Sequence, residues 1–238
     1  MKKTALVTGS PKRLGKAILL ALAEKEYTVI VHYNKSKRDA LKTVQLAKKF
    51  GVNAFSYKAD LTIESEVKSL FKKIKKKFGK LDVLVNNVGN FGKKPVRKYS
   101  LKEWNSLIEG GVSSAFVCCK YAIPIMRKNG RIINIGDSEA STISSHPRIV
   151  PYKIGKIGVN VLTKTLALEL AKKKITVNMV SPGVMFNAVS FPPGGLKNVP
   201  LKRWTKNEDV INAVLFLLKE ESNYITGANI AVDGGFGV

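Results

Sequence analysis

Tyr152 and Lys156, in the segment YKIGK, are the residues best suited to acid–base chemistry. They stand four positions apart, and in a helix this spacing places both side chains on one face. A tyrosine with a pKa near 10 is a weak acid at neutral pH, and an ammonium beside it stabilises the phenolate and lowers that pKa. The pair could protonate a carbonyl oxygen while a hydride arrives from a nicotinamide. Because tyrosine and lysine often share this spacing, a purely structural role stays open at this point.

The segment from Thr4 to Leu22, TALVTGSPKRLGKAILLAL, predicts a strand, a tight turn and a helix that together hold an anion. Gly9 allows the turn without a Cβ penalty, and Gly15 lets the helix approach the strand closely. The helix, which begins near Arg13, directs unpaired backbone N–H groups at the anion. The predicted phosphate-binding residues are Gly9, Ser10, Lys12, Arg13, Leu14 and Gly15.

The second predicted strand, 27–33, ends without the acidic residue that commonly accepts hydrogen bonds from the ribose 2′-hydroxyl of NAD. Its end offers donors and cations instead, namely Tyr33, Asn34, Lys35 and Ser36. Arg13 adds a guanidinium where many such loops carry a second glycine, and this set suits a 2′-phosphate. The sequence therefore favours NADPH over NADH, with a merely basic loop in a basic protein as the alternative.

Strands and helices keep alternating along the chain. Strand 52–58 is followed by Asp60 and Leu61, strand 81–86 by Asn87, Val88 and Gly89, and a fifth strand covers 131–135. A helix from Ile63 to Phe78 separates the third and fourth strands. This alternation predicts an α/β fold, a Rossmann-type doubly wound parallel sheet in a single domain over residues 1–238.

The charge of the chain is strongly positive, with a net value of +24 from 41 Lys and Arg against 17 Asp and Glu. The densest segment, FKKIKKKFGK at 71–80, could form a nucleic-acid surface. However, its apolar residues recur at helical spacing, which favours lysines on the solvated face of a core-packed helix. We expect no dedicated nucleic-acid partner. Binding of an acidic substrate or an acidic carrier protein is another possible explanation of this positive charge.

Two features bear on where the protein resides. The apolar run after Met1 ends at Thr8, which is too short for a membrane span or a signal peptide. Cys118 and Cys119 are adjacent and cannot form an ordinary framework disulfide, which fits a reducing cytoplasm. We therefore expect a cytoplasmic protein, without a membrane partner and without a metal site.

Taken in order, the motifs TGSPKRLG, Asp60, NNVG, YKIGK, Pro182-Gly183 and ITGANIAVDGG resemble those of the short-chain dehydrogenase/reductase family. The resemblance covers essentially the whole chain. It implies a nicotinamide cofactor, Tyr152 as the general acid/base, and Lys156 lowering its pKa and holding the nicotinamide ribose. It places Pro182, Gly183 and Val184 against the cofactor. It also implies a homodimer or homotetramer, formed through the helix that starts at the Ser100–Glu103 capping box and the helix that carries Tyr152.

Departures from the family pattern point to one branch. Asp137 stands where the family usually has a serine, and Gly111 where an asparagine is common. Pteridine reductases of this family carry an aspartate there, a KRLG turn, an HYxxS end to strand two and a phenylalanine after strand four. This chain has the KRLG turn at Lys12–Gly15 and the HYxxS pattern at His32–Ser36. Phe91 matches the phenylalanine, which in that branch stacks a pterin on the nicotinamide. Ser138, or a serine in the following loop, remains an alternative to Asp137.

A short loop at about 185–200 stands where the family builds its substrate lid, and Phe186 and Phe191 could line a pocket there or lie on a plain surface loop. The sequence predicts an NADPH-dependent reductase acting on a small carbonyl or pterin-like substrate, with Tyr152, Lys156 and Asp137 as catalytic residues. Phe91, Ser138 and Phe186 are the predicted substrate contacts. The alternatives are a 3-oxoacyl-carrier-protein reductase and a catalytically decayed protein that binds nucleotides or nucleic acid.

Overall fold

The computed structural model describes residues 2–142, 148–188 and 190–236. Its strands are β1 Thr4–Val7, β2 Thr28–Tyr33, β3 Ala54–Lys58, β4 Leu81–Asn86, β5 Met126–Ile135, β6 Thr176–Pro182 and β7 Asn229–Val232. Its helices are α1 Arg13–Glu24, α2 Lys37–Lys48, α3 Glu64–Phe78, α4 Leu101–Ile108, α5 Ser114–Ala122, α6 Val150–Leu170 and α7 Asn207–Leu218. None of the helices in these ranges has the length and apolar character needed to cross a bilayer.

The strands form one parallel sheet in the order β3-β2-β1-β4-β5-β6-β7. Apolar residues of α1, α2 and α7 pack on one face of the sheet, and those of α3, α5 and α6 pack on the other. The predicted doubly wound α/β fold is confirmed. Because the strand order reverses between β1 and β4, the loops after these strands diverge and leave a crevice at the carboxyl ends.

The turn after β1 has the geometry that its glycines predict. Gly9 has a φ of +61°, and a Cβ on Gly15 would lie 2.5 Å from the Gly9 carbonyl oxygen. A larger residue at position 15 would therefore push helix and turn apart. Arg13 adopts a φ of +51°, a left-handed conformation that explains why glycine is common at this position.

The predicted long helix from Ser100 is interrupted. It begins as expected, with Ser100 accepting from the Glu103 backbone N–H and Glu103 accepting from Ser100 in return. After α4 the chain makes a π-helical turn over Glu109–Ser113 before α5 starts. A Cβ on Gly111 would lie 3.5 Å from the Gly155 Cα, so this turn approaches α6 nearly backbone to backbone. Gly111 thus has a packing role in a position where the family pattern expects a polar side chain.

Candidate active site

A cavity of about 680 Å³ lies at the carboxyl ends of the central strands. Predicted cofactor residues line it, namely Arg13, Leu14, Asn87, Gly89, Pro182, Gly183 and Val184. The predicted catalytic and substrate residues Phe91, Asp137, Ser138, Tyr152 and Lys156 line it as well. The fold therefore brings together side chains from segments that are far apart in the sequence.

Tyr152 lies between a carboxylate and an aromatic ring. Its hydroxyl donates to Asp137 Oδ2 at 3.1 Å, and its ring meets the Phe91 ring edge-on with centroids 5.2 Å apart. Burial raises the pKa of Tyr152 well above its ordinary value of 10.0, and the Asp137 carboxylate raises it further. Burial and the carboxylate are thus the main causes of this shift, and the role of Lys156 in lowering the pKa of Tyr152 stays a prediction.

Lys156 points at the end of β5 rather than at the tyrosine hydroxyl. Its Nζ donates to the Ile135 carbonyl oxygen at 2.8 Å and lies 5.8 Å from the centre of the Tyr152 ring. A Cβ on Gly89 would sit 3.3 Å from the same Nζ, so the glycine leaves room for the ammonium. Burial lowers the pKa of Lys156 to about 8. The group is therefore a buried cation that can lose its proton at mildly alkaline pH.

A second buried lysine, which the sequence reasoning missed, completes the polar cluster. Lys153 Nζ lies 2.6 Å from Asp137 Oδ1 and also forms an ion pair with Glu139. Asp137 Oδ1 accepts from the Glu139 backbone N–H at 3.2 Å as well. The available signal was the lysine directly after Tyr152, next to two acids placed two residues apart after β5.

His32, named from the sequence only within the HYxxS pattern, supports the turn after β1. Its Nδ1 accepts the Gly9 N–H at 3.0 Å, and its Nε2 lies 3.0 Å from the Ala59 carbonyl oxygen. These partners require a neutral ring that carries its proton on Nε2. Burial lowers the pKa of His32 to about 4, which keeps the ring neutral. Ser10 serves the turn internally, because its hydroxyl donates to the Val7 carbonyl at 2.7 Å.

The residues predicted at the adenosine end lie at or near the ends of β2 and β3. Asn34 Nδ2 donates to Asp60 Oδ2 at 2.8 Å, and the hydrogen bonds from Thr62 lower the pKa of Asp60. Leu61, the residue after Asp60, is buried. Lys12 forms an exposed ion pair with Asp39 at 3.1 Å. Tyr33 ends β2, and Lys35 and Ser36 lead into α2, where Ser36 is the residue before the first turn.

Next to Gly9 and Gly15, the Asn87 side chain ties β4 to β1. Asn87 Nδ2 donates to the carbonyl oxygens of Thr8 at 3.0 Å and Gly9 at 3.2 Å. Val88 closes this turn, because a Cβ on Gly9 would meet its Cγ2 at 2.9 Å. These contacts hold together the turns that follow β1 and β4, at the bottom of the crevice.

The substrate end differs in part from the prediction. Phe186 is half exposed and is not among the residues that line the cavity, whereas Phe191 lines it and packs on Trp204 with ring centroids 5.0 Å apart. Ser138 is buried beside Asp137. Any alternative serine within 143–147 falls outside the described residues. In the described part of the chain no group of three or more His, Cys, Asp and Glu side chains could hold a metal ion.

The chain matches known proteins over nearly its whole length. Residues 10–237 match a family described as enoyl-(acyl carrier protein) reductase. The 3-oxoacyl-(acyl-carrier-protein) reductase FabG of Staphylococcus epidermidis is 38% identical over 243 residues, covering 99% of each chain. Glucose 1-dehydrogenase 2 of Bacillus subtilis is 35% identical over 98% of this chain and 94% of its own.

Solved structures agree with these sequence matches. A short-chain dehydrogenase/reductase from Serratia marcescens superposes with a TM-score of 0.92 at 29% identity, covering 99% of this chain and 98% of the other. A blue fluorescent protein from a metagenomic library, solved in complex with NADPH, gives the same TM-score at 30% identity and the same coverage. With this sheet, this turn and this Tyr152–Lys156 pair, the chain belongs to the short-chain dehydrogenase/reductase family of oxidoreductases.

Proposed function

We propose that the protein is an NADPH-dependent reductase that acts on a small carbonyl or pterin-like substrate, with Tyr152 as the proton donor. The observation that carries the proposal is the position of Tyr152 in the wall of the cavity, with its hydroxyl 3.1 Å from Asp137 and its ring edge-on to the Phe91 ring. The predicted roles of Asp137 in the proton relay and Phe91 in substrate stacking rest on this placement.

The phosphate-binding turn fits a dinucleotide. The residue before α1, Lys12, makes no side-chain cap, and the first turn of α1 holds no acid, so the backbone N–H groups there suit a diphosphate. Arg13 and the segment from Tyr33 to Ser36 would hold a 2′-phosphate, since no carboxylate stands at the end of β2. Asn87, Gly89 and Lys156 would hold the nicotinamide half. When bound, this cofactor supplies the hydride.

Each residue of the cluster then has a defined task. Tyr152 keeps its proton because its pKa is raised, and so it enters the reaction as an acid. Lys156 holds a positive charge at the end of β5 that favours the phenolate left after proton transfer. Asp137 accepts a hydrogen bond from the Tyr152 hydroxyl and so positions its oxygen. The O–H turns from Asp137 to the substrate oxygen when the proton is transferred.

The carboxylate of Asp137 favours a substrate that carries N–H donors. An ionised carboxylate only accepts hydrogen bonds, so it cannot donate to a carbonyl oxygen as a serine hydroxyl can. An amino-substituted heterocycle such as a pterin supplies the required donors, and the Phe91 side chain, 43% exposed, offers a flat surface for its ring. These two features favour the pterin-like class.

Reduction of a 3-oxoacyl group on a carrier protein is the second candidate. It is favoured by the 38% identity to the Staphylococcus reductase over 99% of both chains. The net charge of +24 would also attract an acidic carrier. The assembled cluster of Tyr152, Lys156 and Asp137 speaks against a decayed, nucleic-acid-binding protein, and the proposal includes no dedicated nucleic-acid partner.

NADPH oxidation measured against pterins, quinones and 3-oxoacyl thioesters tests the proposal. Turnover of pterins above the other classes supports the first candidate. Turnover of 3-oxoacyl thioesters alone would replace it with the second. Calorimetry with NADPH and NADH tests the cofactor separately, because the phosphate site predicts NADPH binding at least about tenfold tighter.

The proposal includes a homo-oligomer, a dimer or a tetramer. Ile154, Val161 and Leu168 recur every seven residues on α6, and each is at least 43% exposed. Phe116 on α5 is also half exposed. A second copy of the chain could bury such a stripe. Light scattering measures the mass of the oligomer, and Leu168→Glu should lower it.

We place the protein in the cytoplasm, where the two free, buried cysteines would stay reduced.

A further inference from the structure

Lys153 is a buried cation in the wall of the cavity. Its side chain is only 5% exposed, although it follows Tyr152 at the start of α6 and carries a full charge. Burial of an ammonium is costly unless anions and hydrogen bonds compensate. Lys153 has such partners in Asp137, at 2.6 Å, and in Glu139.

The two oxygens of Asp137 are engaged differently. Oδ1 accepts hydrogen bonds from the Lys153 ammonium and the Glu139 backbone N–H, whereas Oδ2 accepts one from the Tyr152 hydroxyl. With Oδ1 fixed on one side, the carboxylate plane is set and Oδ2 faces the tyrosine. The ammonium thus holds the carboxylate oxygen opposite to the one that Tyr152 contacts.

Charge balance gives Lys153 a role beyond packing. Asp137 and Glu139 stand two residues apart and are both largely buried, with side chains 19% and 18% exposed. The other charged side chains that line the cavity are cationic, namely Arg13, Lys93, Arg148 and Lys156. Of these, Lys156 is hydrogen-bonded to the Ile135 carbonyl. Removing the charge of Lys153 would leave Asp137 without its ammonium partner, and this loss disfavours the ionised carboxylate.

We infer that Lys153 is a positioning residue of the active site, which keeps Asp137 ionised and turns its Oδ2 toward the Tyr152 hydroxyl. Asp137 therefore stays a hydrogen-bond acceptor, and the tyrosine stays the only acid of the pair. A protonated Asp137 would instead donate to the tyrosine oxygen or to the substrate and would compete for the reacting position. The inference rests on the proposed role of Tyr152, but its first test needs no substrate.

The first test compares thermal stability with pH for Lys153→Met, a substitution that keeps most of the side-chain length and removes the charge. The loss of Tm relative to the unmodified protein should be larger at about pH 8, where Asp137 is deprotonated without its partner, than at about pH 5, where it can take up a proton. Lys153→Arg keeps the charge and should show a smaller loss that is equal at both pH values. Lys164→Met, an exposed position on the same helix, is the matched control and should show no pH-dependent loss.

The double variant Asp137→Asn with Lys153→Met tests whether Asp137 is the carboxylate behind the pH-dependent loss of Tm. The pH-dependent part of the Tm loss should disappear, because the group that titrates is gone. If Lys153→Met loses the same Tm at both pH values, or loses more at the acidic one, Lys153 only packs and the inference is overturned. Should Lys153→Met fold at neither pH, Lys153→Gln is compared with Lys153→Arg in the same way.

The second test uses turnover of NADPH with any substrate found. Lys153→Met should lower kcat at least about tenfold with little change in the KM for NADPH, and its kcat should gain a pH dependence that Lys153→Arg lacks. An unchanged kcat and pH profile would contradict the positioning role. If no substrate is turned over, the proposed function fails, while the stability comparison still decides the role of Lys153.

Discussion

The Tyr152 hydroxyl donates to Asp137 Oδ2 at 3.1 Å, although the two residues stand fifteen positions apart and belong to different elements. Asp137 follows β5, and Tyr152 lies in the first turn of α6. The carboxylate helps to raise the pKa of the phenol and fixes its direction. This contact links the proposed proton donor to the residue that separates this chain from the common family pattern.

Asp137→Ala should lower kcat by about 10²-fold while NADPH affinity stays nearly unchanged, because the carboxylate orients the acid but does not contact the predicted phosphate site. Steady-state rates and calorimetry measure the two effects. Ser138→Ala is the neighbouring control. If Asp137→Ala keeps full activity and Ser138→Ala loses it, the catalytic role predicted for Asp137 belongs to Ser138.

Asp137→Ser separates substrate classes. A serine hydroxyl can donate to a carbonyl oxygen, so this variant should reduce ketones better than Asp137→Ala does, while reduction of pterins stays low. The comparison uses kcat/KM for one ketone and one pterin. Equal recovery of both activities would mean that the aspartate does not select the substrate.

Arg13→Gln should weaken NADPH binding at least about tenfold and leave NADH binding unchanged, since it removes one charge-assisted contact to a phosphate. Lys48→Gln, at the far end of α2, is the control for general loss of charge. Arg13→Gly should bind NADPH as weakly but should not lower the Tm, because glycine accepts the φ of +51° without strain. Equal losses for both cofactors would refute the phosphate assignment.

Activity should fall as pH rises through about 8, the value to which burial lowers the pKa of Lys156. Above this pH the lysine is neutral and no longer favours the phenolate. The pH profile of kcat/KM measures the effect, and Lys156→Arg, which stays charged, should move the alkaline limit upward. A profile that stays flat well above this pH would show that the charge of Lys156 is not required.

The free energy of unfolding should decrease as the pH falls from about 6.5 to about 4, because the pKa of His32 is 6.5 when unperturbed and about 4 in the folded protein. In this window the unfolded chain binds more protons, so the free energy of unfolding rises with pH, by roughly 3 kcal/mol over the whole window. Urea unfolding at both ends measures it. His32→Gln, which does not titrate, should lose this component, and an unchanged pH dependence would exclude His32 as its source.

The sequence predicted the fold well because alternating buried strands and amphipathic helices leave few other topologies. It also named Tyr152 and Asp137 together as catalytic residues, and the fold brings them within 3.1 Å of each other. The functional roles of these residues remain predictions. Lys153 and Glu139 were missed because their pairing depends on how the segment after β5 turns toward α6. The π-helical turn at Glu109–Ser113 was missed because it depends on packing between Gly111 and Gly155, not on local periodicity.

The most direct test is the rate of NADPH oxidation by the unmodified protein and by Tyr152→Phe, with a pterin as the oxidant. Phenylalanine keeps the ring against Phe91 and removes only the hydroxyl that lies beside Asp137. We expect turnover by the unmodified protein and a rate of NADPH oxidation at least about 10²-fold lower in the variant, with NADPH affinity retained. Equal rates for the two proteins would contradict the role of Tyr152 as proton donor.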